Sequence, residues 1–339
     1  MQPAIVTEGL SKRFRKLQTY RDLVLYPWRR ASSLAVDGIS LCIDQGEFFG
    51  ILGPNGAGKT TLIKMLCTTV LPSGGSARVA GYDVVRQVRQ VRASIGLITS
   101  EERSFYWRLT GRQNLEFFAA LYRLPAATAQ TRIDELLERV GLTEHADRPF
   151  QAYSTGMRQK LGIARGLLHQ PAIVFMDEPT RSLDPLSAQA VRQLIKEYVV
   201  DELGRTVVLA THSMPEAEEL CDRVALVQAG RVVAEGSVGQ LQRALGPGIC
   251  CDLRVGNFPA PLSERLDEIP GVVELTSTTE EDIQHIRLTL TDEGRVLAAV
   301  LREVVGAGGD VYGCTTRQIS LEEIYMRTLG EPQERVKVS

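Results

Sequence analysis

The chain has 339 residues, 44% of them hydrophobic and 24% charged, with a formal net charge of −2. Those figures describe a globular protein long enough for two domains and exclude a disordered chain. The near-neutral balance also excludes a globally basic nucleic-acid or anionic-membrane binder, so any basic site must be local.

Six cysteines (Cys42, Cys67, Cys221, Cys250, Cys251, Cys314) are scattered without a CxxC pair, the pattern of reduced core thiols in a reducing compartment. The first residues, MQPAIVTEGLSKRF, lack the apolar stretch of a signal peptide, and no uninterrupted apolar run approaches the ~20 residues that cross a bilayer. If a membrane is involved, a partner is expected to span it.

Residues 4–9 and 39–43 read as short strands on either side of an interlude, KLQTYRDLVLYPWRRASSLA. FFGILG is an apolar strand running into a glycine-rich turn, and TTLIKMLCTTV after it has helical periodicity. Residues 111–141 predict two amphipathic helices joined at Pro125, and a third helix follows YSTG. AIVFMD and TVVLAT are continuous apolar runs of the buried parallel-strand type, separated by the helical stretch PLSAQAVRQLIKEYVVDEL. VALVQAGRVVAEG reads as a hairpin turning at Ala229-Gly230.

Gly246-Pro247-Gly248 is the best linker candidate. Beyond it the order strand, helix, strand, strand, helix, strand is the ferredoxin-like βαββαβ arrangement. A short helix, LEEIYMRTL, then leads into a polar tail expected to be loose. The expected domains are therefore 1–246, with a helical subdomain over about 101–168, then 247–330, then a flexible tail at 331–339.

GPNGAGKT, residues 53–60, matches the phosphate-binding loop G-x-x-x-x-G-K-[ST] in full and lies between strand and helix. Its glycines let the backbone wrap a phosphate, so Gly53, Pro54, Asn55, Gly56, Ala57, Gly58, Lys59, Thr60 and Thr61 form the candidate nucleotide cradle. Lys59 adds positive charge near the β and γ oxygens, and the Thr60 hydroxyl suits Mg²⁺.

IVFMDEPT, residues 173–180, ends an apolar strand in two adjacent acids, a costly placement unless a cation or a reaction needs them. Asp177 is the second Mg²⁺ ligand candidate and Glu178 the candidate general base for water. His212 follows a second apolar strand. Alone it reads as a capping or packing residue; in one sheet with the phosphate loop it would sit at the carboxyl edge where ligands collect. YSTGMRQK, residues 153–160, reads alone as a serine-capped helix start with a dipole that favours an anion.

GPNGAGKT, YSTGMRQK, IVFMDEPT, SLDP (182–185) and THS (211–213), in this order, resemble the ATP-binding subunits of ABC transporters over roughly residues 4–245. They match the Walker A, signature, Walker B, D-loop and switch-histidine motifs. The resemblance implies a P-loop NTPase core with a helical subdomain, plus the small α+β domain. It also implies a head-to-tail pair of such domains, as a homodimer or pseudo-dimer, with two ATP molecules between them and a separate transmembrane permease.

In that pair Ser154 and Gly156 would face the γ-phosphate held by Lys59 of the opposite subunit, with Asp184 near the interface and His212, as the switch histidine, a catalytic residue with Glu178. Phe14 stands where the family stacks an aromatic on adenine. Two departures stand out: Tyr153, Thr155 and Met157 replace Leu, Gly and Gln of the usual LSGGQ, and Ser100 occupies the place of a Mg²⁺-binding glutamine.

SFYWRLTGRQNL, residues 104–115, is by resemblance the groove that receives the permease, although Phe105, Tyr106 and Trp107 also suit an ordinary core. The segment 20–30, with Leu23, Tyr26, Trp28 and three arginines, reads either as a surface loop or as a contact with the permease or bilayer edge. The C-terminal piece resembles those on exporter ATPases of the drug, lipid and polysaccharide type, which favours export from the cytoplasmic face of the membrane. A soluble ATPase acting on nucleic acid or ribosomes is the alternative, but the single nucleotide domain and the lack of a basic stripe count against it. A metabolite-sensing C-terminal domain is a third reading.

Overall fold

A computed structural model describes residues 3–15, 32–100, 104–245, 249–259, 262–280, 283–292, 294–330 and 336–337. The interlude segment 20–30 and the linker 246–248 lie outside the described residues. The chain divides into two compact units, one ending at Ser237 and the second beginning at Val238.

The first unit opens with an antiparallel sheet of β1 (Ile5–Arg15), β2 (Ser32–Ile39), β3 (Cys42–Ile43), β5 (Gly74–Val79) and β6 (Tyr82–Asp83). The β1–β2 pairing continues to Arg15↔Ser32, so SSLA belongs to a strand and not to the interlude. Cross-strand hydrogen bonding, absent from any local pattern, extends both strands.

The central sheet has β4 (Phe48–Leu52), β7 (Ile95–Thr99), β8 (Ile173–Asp177), β9 (Thr206–Thr211) and β10 (Arg223–Gln228) in the parallel order β10-β4-β9-β8-β7. β11 (Arg231–Ser237) returns antiparallel along β10. The turn between them has φ of 46° at Ala229 and 82° at Gly230, the double left-handed conformation that a two-residue hairpin requires.

Alternation sorts these apolar strands onto two cores. Ile173, Phe175, Val208 and Ala210 face Leu62, Ile63 and Leu66 of α1 (Lys59–Leu66), whereas Val174, Met176, Val207 and Leu209 face the helical region. After α2 (Val88–Ser94), that region consists of α3 (Gly111–Leu121), α4 (Ala126–Arg139) and α5 (Thr155–Leu167). A capping box between Thr110 and Gln113 starts α3, and the buried Asn114 bonds the backbone of Tyr106, Leu109 and Thr110. α6 (Pro185–Leu194) continues as a π-helix over Ile195–Glu202, and α7 (Met214–Leu220) follows β9.

The second unit contains α8 (Val238–Leu245), β12 (Ile249–Gly256), α9 (Leu262–Asp267), β13 (Val272–Glu280), β14 (Ile283–Leu290), α10 (Arg295–Gly306), β15 (Asp310–Gln318) and α11 (Leu321–Gly330). Its sheet is antiparallel in the order β13-β14-β12-β15, which is the ferredoxin-like topology. Leu253, Ile286, Leu288, Val300 and Val304 make its core.

The unit boundary falls ahead of the expected 246. Gln242 on α8 donates to the Ile319 carbonyl, 2.9 Å away, and ties that helix to the C-terminal unit. From the expected loose tail, Val336–Lys337 form β16, parallel to Ala234 and Glu235; the other tail residues lie outside the described ones.

Candidate functional site

The phosphate loop sits at the carboxyl end of β4 with β9, β8 and β7 to one side, so the tips of four strands converge at one sheet edge. Glycine is required at two loop positions for two reasons at once. Gly53 has φ of 156° and Gly58 of 107°, and a Cβ would lie 2.1 Å from the Val227 oxygen at the first and 2.3 Å from the Ala35 oxygen at the second. Gly56, at φ 82°, faces open space and is constrained by conformation alone.

Lys59, 5% exposed, donates through Nζ to the carbonyls of Gly53 (2.7 Å) and Pro54 (3.1 Å). Burial lowers its pKa, while the charges of Glu178 and Asp177 oppose the shift. Thr60 donates its hydroxyl to Asp177 Oδ1 at 3.1 Å. Burial pushes the Asp177 carboxyl up, the bond from Thr60 pulls it down, and the neighbouring Glu178 charge pushes it up again. Lys59, Thr60, Asp177, Glu178 and Ser100 line one cleft of about 350 Å³.

Glu178 has a left-handed backbone, φ 51°, pinned by its N–H to the Ala210 carbonyl at 2.8 Å. Its Oε1 lies 3.0 Å from Nδ1 of His212. Its Oε2 is closed off from solvent and accepts no hydrogen bond, although Nη1 of Arg181 is 3.2 Å away, off the line such a bond needs. Arg181 also lines the cleft. Sequence reading passed over it because it lies between two motifs; the usable signal was a cation three residues after the candidate base.

The other motif residues are placed apart from that cleft. Ser154 is the N-cap of α5 and accepts from the Met157 N–H at 3.2 Å. Asp184 caps α6 in the same way, accepting from Ser187 at 3.0 Å, and this bonding lowers its pKa. The two helix starts are neighbours: a Cβ on Gly156 would sit 3.0 Å from Ser187 Oγ. Tyr153, in place of the usual leucine, is buried and donates its hydroxyl to the His145 carbonyl at 2.7 Å, a polar anchor that leucine lacks.

Phe14 is 41% exposed, beneath the Lys12 ammonium, and is not among the residues lining the cleft. The aromatic cluster divides in two. Phe105 is core, stacked on Phe150 at 4.7 Å, while Tyr106 and Trp107 remain about half exposed. Arg158 of α5 lies over Trp107 at 4.7 Å.

This fold and edge geometry define an ATP-binding P-loop ATPase, and comparison with known proteins supplies the family. The family model described as ABC transporter matches residues 36–181. Daunorubicin resistance ATP-binding protein DrrA3 of Streptomyces coeruleorubidus is 36% identical over 310 residues, covering 91% of this chain and 95% of the relative. Doxorubicin resistance ATP-binding protein DrrA of Mycobacterium tuberculosis (strain ATCC 25618 / H37Rv) is 36% identical, over 89% and 90% of the two chains.

Among solved structures, cbiO1 of Clostridium perfringens, part of the ABC transporter complex cbiONQ, gives a TM-score of 0.59 at 28% identity, covering 70% of this chain and 89% of its own. A dimeric post-hydrolysis state of the ATP-binding cassette MJ0796, bound to ADP and Pi, shares the fold with a TM-score of 0.58 at 24% identity, over 69% and 98%.

The chain belongs to the ABC transporter family, as one of its ATP-binding subunits. It is an ATPase whose turnover powers transport, which sets aside the nucleic-acid and ribosome reading. Such subunits dimerise and work with transmembrane partners. Among the described residues no helix is long and apolar enough to cross a membrane.

Proposed function

We propose that the chain drives export from the cytoplasmic face of the membrane, as one of two nucleotide domains that close head to tail on two ATP molecules. The carrying observation is the pairing of Thr60 with Asp177 and of Glu178 with His212 around a cleft that also holds Lys59. In this reading the cradle runs from Gly53 to Thr61, and Ser154, Gly156 and Asp184 act on the nucleotide of the opposite subunit. The exposed helix start of α5 supports that role for Ser154 and Gly156, and Asp184 lies at the neighbouring exposed start of α6.

Mg²⁺ suits the site. Thr60 and Asp177 present hard oxygen atoms side by side, and the desolvated Asp177 gains from a cation. The ion would be held by Thr60 and Asp177 and would supply charge neutralisation on the phosphate oxygens. Ser100 lines the cleft at the end of β7 and can add a hydroxyl.

Glu178 takes a proton from water as the water oxygen bonds to the γ-phosphorus. The bond to the β–γ bridging oxygen breaks, and ADP leaves with its electron pair. His212, bonded to Oε1, fixes the carboxylate. Lys59 holds phosphate oxygens and Gly53 and Gly58 keep the loop backbone close to them. Two-state closure biased by these contacts then works the membrane partner.

The exposed Tyr106 and Trp107 with Arg158 are the proposed docking patch for a separate transmembrane subunit. The daunorubicin and doxorubicin resistance named for two relatives supports outward transport of a drug. The test mixes Lys59→Ala chains with Ser154→Arg chains: in a head-to-tail dimer one intact composite site forms and part of the turnover returns. A mixture as inactive as its components rules out ATP sites shared between two chains.

A further inference from the structure

Glu178 is held from both sides. Oε1 faces His212 Nδ1 at 3.0 Å, and Oε2 is sealed from solvent with the Arg181 guanidinium 3.2 Å away. A general base needs a carboxylate oxygen within about 2.6–3.2 Å of the water it deprotonates. Oε1 spends one of its acceptor sites on His212, which leaves Oε2 as the oxygen with no hydrogen bond, and water does not reach it in this arrangement.

The carboxylate has little freedom to retreat. The Glu178 backbone is fixed in the left-handed region and bonded to β9, and its side chain is only 10% exposed. Arg181 is the movable member, with a side chain 58% exposed and a contact that is electrostatic without being a hydrogen bond. An ion pair of that kind is weak enough to open and close during turnover.

The geometry points to Arg181 as a latch on the general base: it holds Glu178 Oε2 away from water, and hydrolysis is slower until the guanidinium moves aside. This inference rests on the assignment of Glu178 as the base. Arg181 is a positioning residue, acting through Glu178 and not on the reacting phosphorus. A partner or a closing second subunit that draws the guanidinium away would thereby couple assembly to hydrolysis.

The test compares ATPase rates of the full-length chain carrying Arg181→Ala, Arg181→Lys, Glu178→Gln and the Arg181→Ala/Glu178→Gln pair, with thermal melting to check the fold. Arg181→Ala is expected to raise kcat about two- to fivefold, the weight of an ion pair whose cation is more than half exposed, with KM for ATP within about twofold of wild type. Arg181→Lys, which keeps a charge, is expected between wild type and Arg181→Ala. The double variant is expected to match Glu178→Gln alone, because the gain needs the carboxylate.

An unchanged or lower kcat in a folded Arg181→Ala chain overturns the latch, as does an equal gain in the Glu178→Gln background. If Glu178→Gln itself turns over at the wild-type rate, the base assignment has failed and the latch with it. If Glu178→Gln is inactive and Arg181→Ala is no faster, the latch alone has failed.

Discussion

In the Walker patch Lys59 is held by its own loop, but two polar side chains are held by residues far along the chain: Thr60 by Asp177, 117 positions on, and Glu178 by His212, 34 positions on. In the signature patch they are held locally, Ser154 by Met157 and Asp184 by Ser187, each three residues ahead. The first patch is therefore a pocket assembled by the sheet, and the second a pair of exposed helix starts, each capped by its own residue. In the proposed two-chain site, one chain would complete the half that binds and activates ATP, and the half that clamps would be the one left on the surface.

Changes to the Walker patch should be the most damaging. Glu178→Gln is expected to keep ATP binding and lose at least about a hundredfold in turnover, the usual weight of a general base, with nucleotide-bound dimers accumulating on size-exclusion chromatography. Retained turnover would remove the contrast between the two halves.

Gly58→Ala is expected to destabilise the first unit by roughly 2 kcal/mol or more, because strain at positive φ adds to a clash with the Ala35 carbonyl. Gly56→Ala, with open space around it, should cost less. Equal melting temperatures for the two would show that close approach does not shape the loop. In the signature patch, Ser154→Ala should cost about 1 kcal/mol as a lost cap. It should also lower the turnover of the dimer while leaving nucleotide affinity at the Walker patch intact, measured by equilibrium binding.

The smallest expected effect lies in the other unit. Arg317, through two hydrogen bonds, holds the Glu323 carboxyl down at about 2 against an ordinary 4.5. A depressed carboxyl contributes stability that is fully present above about pH 4.5 and is lost as pH falls toward 2. Glu323→Gln should therefore lower the melting temperature slightly at pH 7, with a gap that closes between about pH 4.5 and 2. A gap independent of pH would mean that packing, not charge, is what Glu323 supplies.

Legibility followed the range of the interaction. The phosphate loop was legible because wrapping an anion with backbone demands glycine at fixed spacing, and the hairpin at Ala229-Gly230 because both turn residues need positive φ. Where Phe14 lies was not legible, because the pairing of β1 with β2 and β5 sets it; its stacking on adenine remains a proposal. The boundary at Ser237 was hidden for the same reason, since α8 joins the second unit through a bond spanning 77 positions. Within Phe105-Tyr106-Trp107, composition could not tell the one core ring from the two exposed ones.

What the sequence determined on its own was the set of local devices: the strand-loop-helix around GPNGAGKT, the caps at Ser154 and Asp184, the paired acids at a strand end, and the βαββαβ order. Only the tertiary structure decided which of these meet. The strand order β10-β4-β9-β8-β7 brings Thr60 to Asp177 and His212 to Glu178, whereas Arg181 reaches the same carboxylate from within its own turn. Hydrogen-bonded neighbours in a parallel sheet are chosen by the packing of both faces at once, and no local window of residues contains that choice.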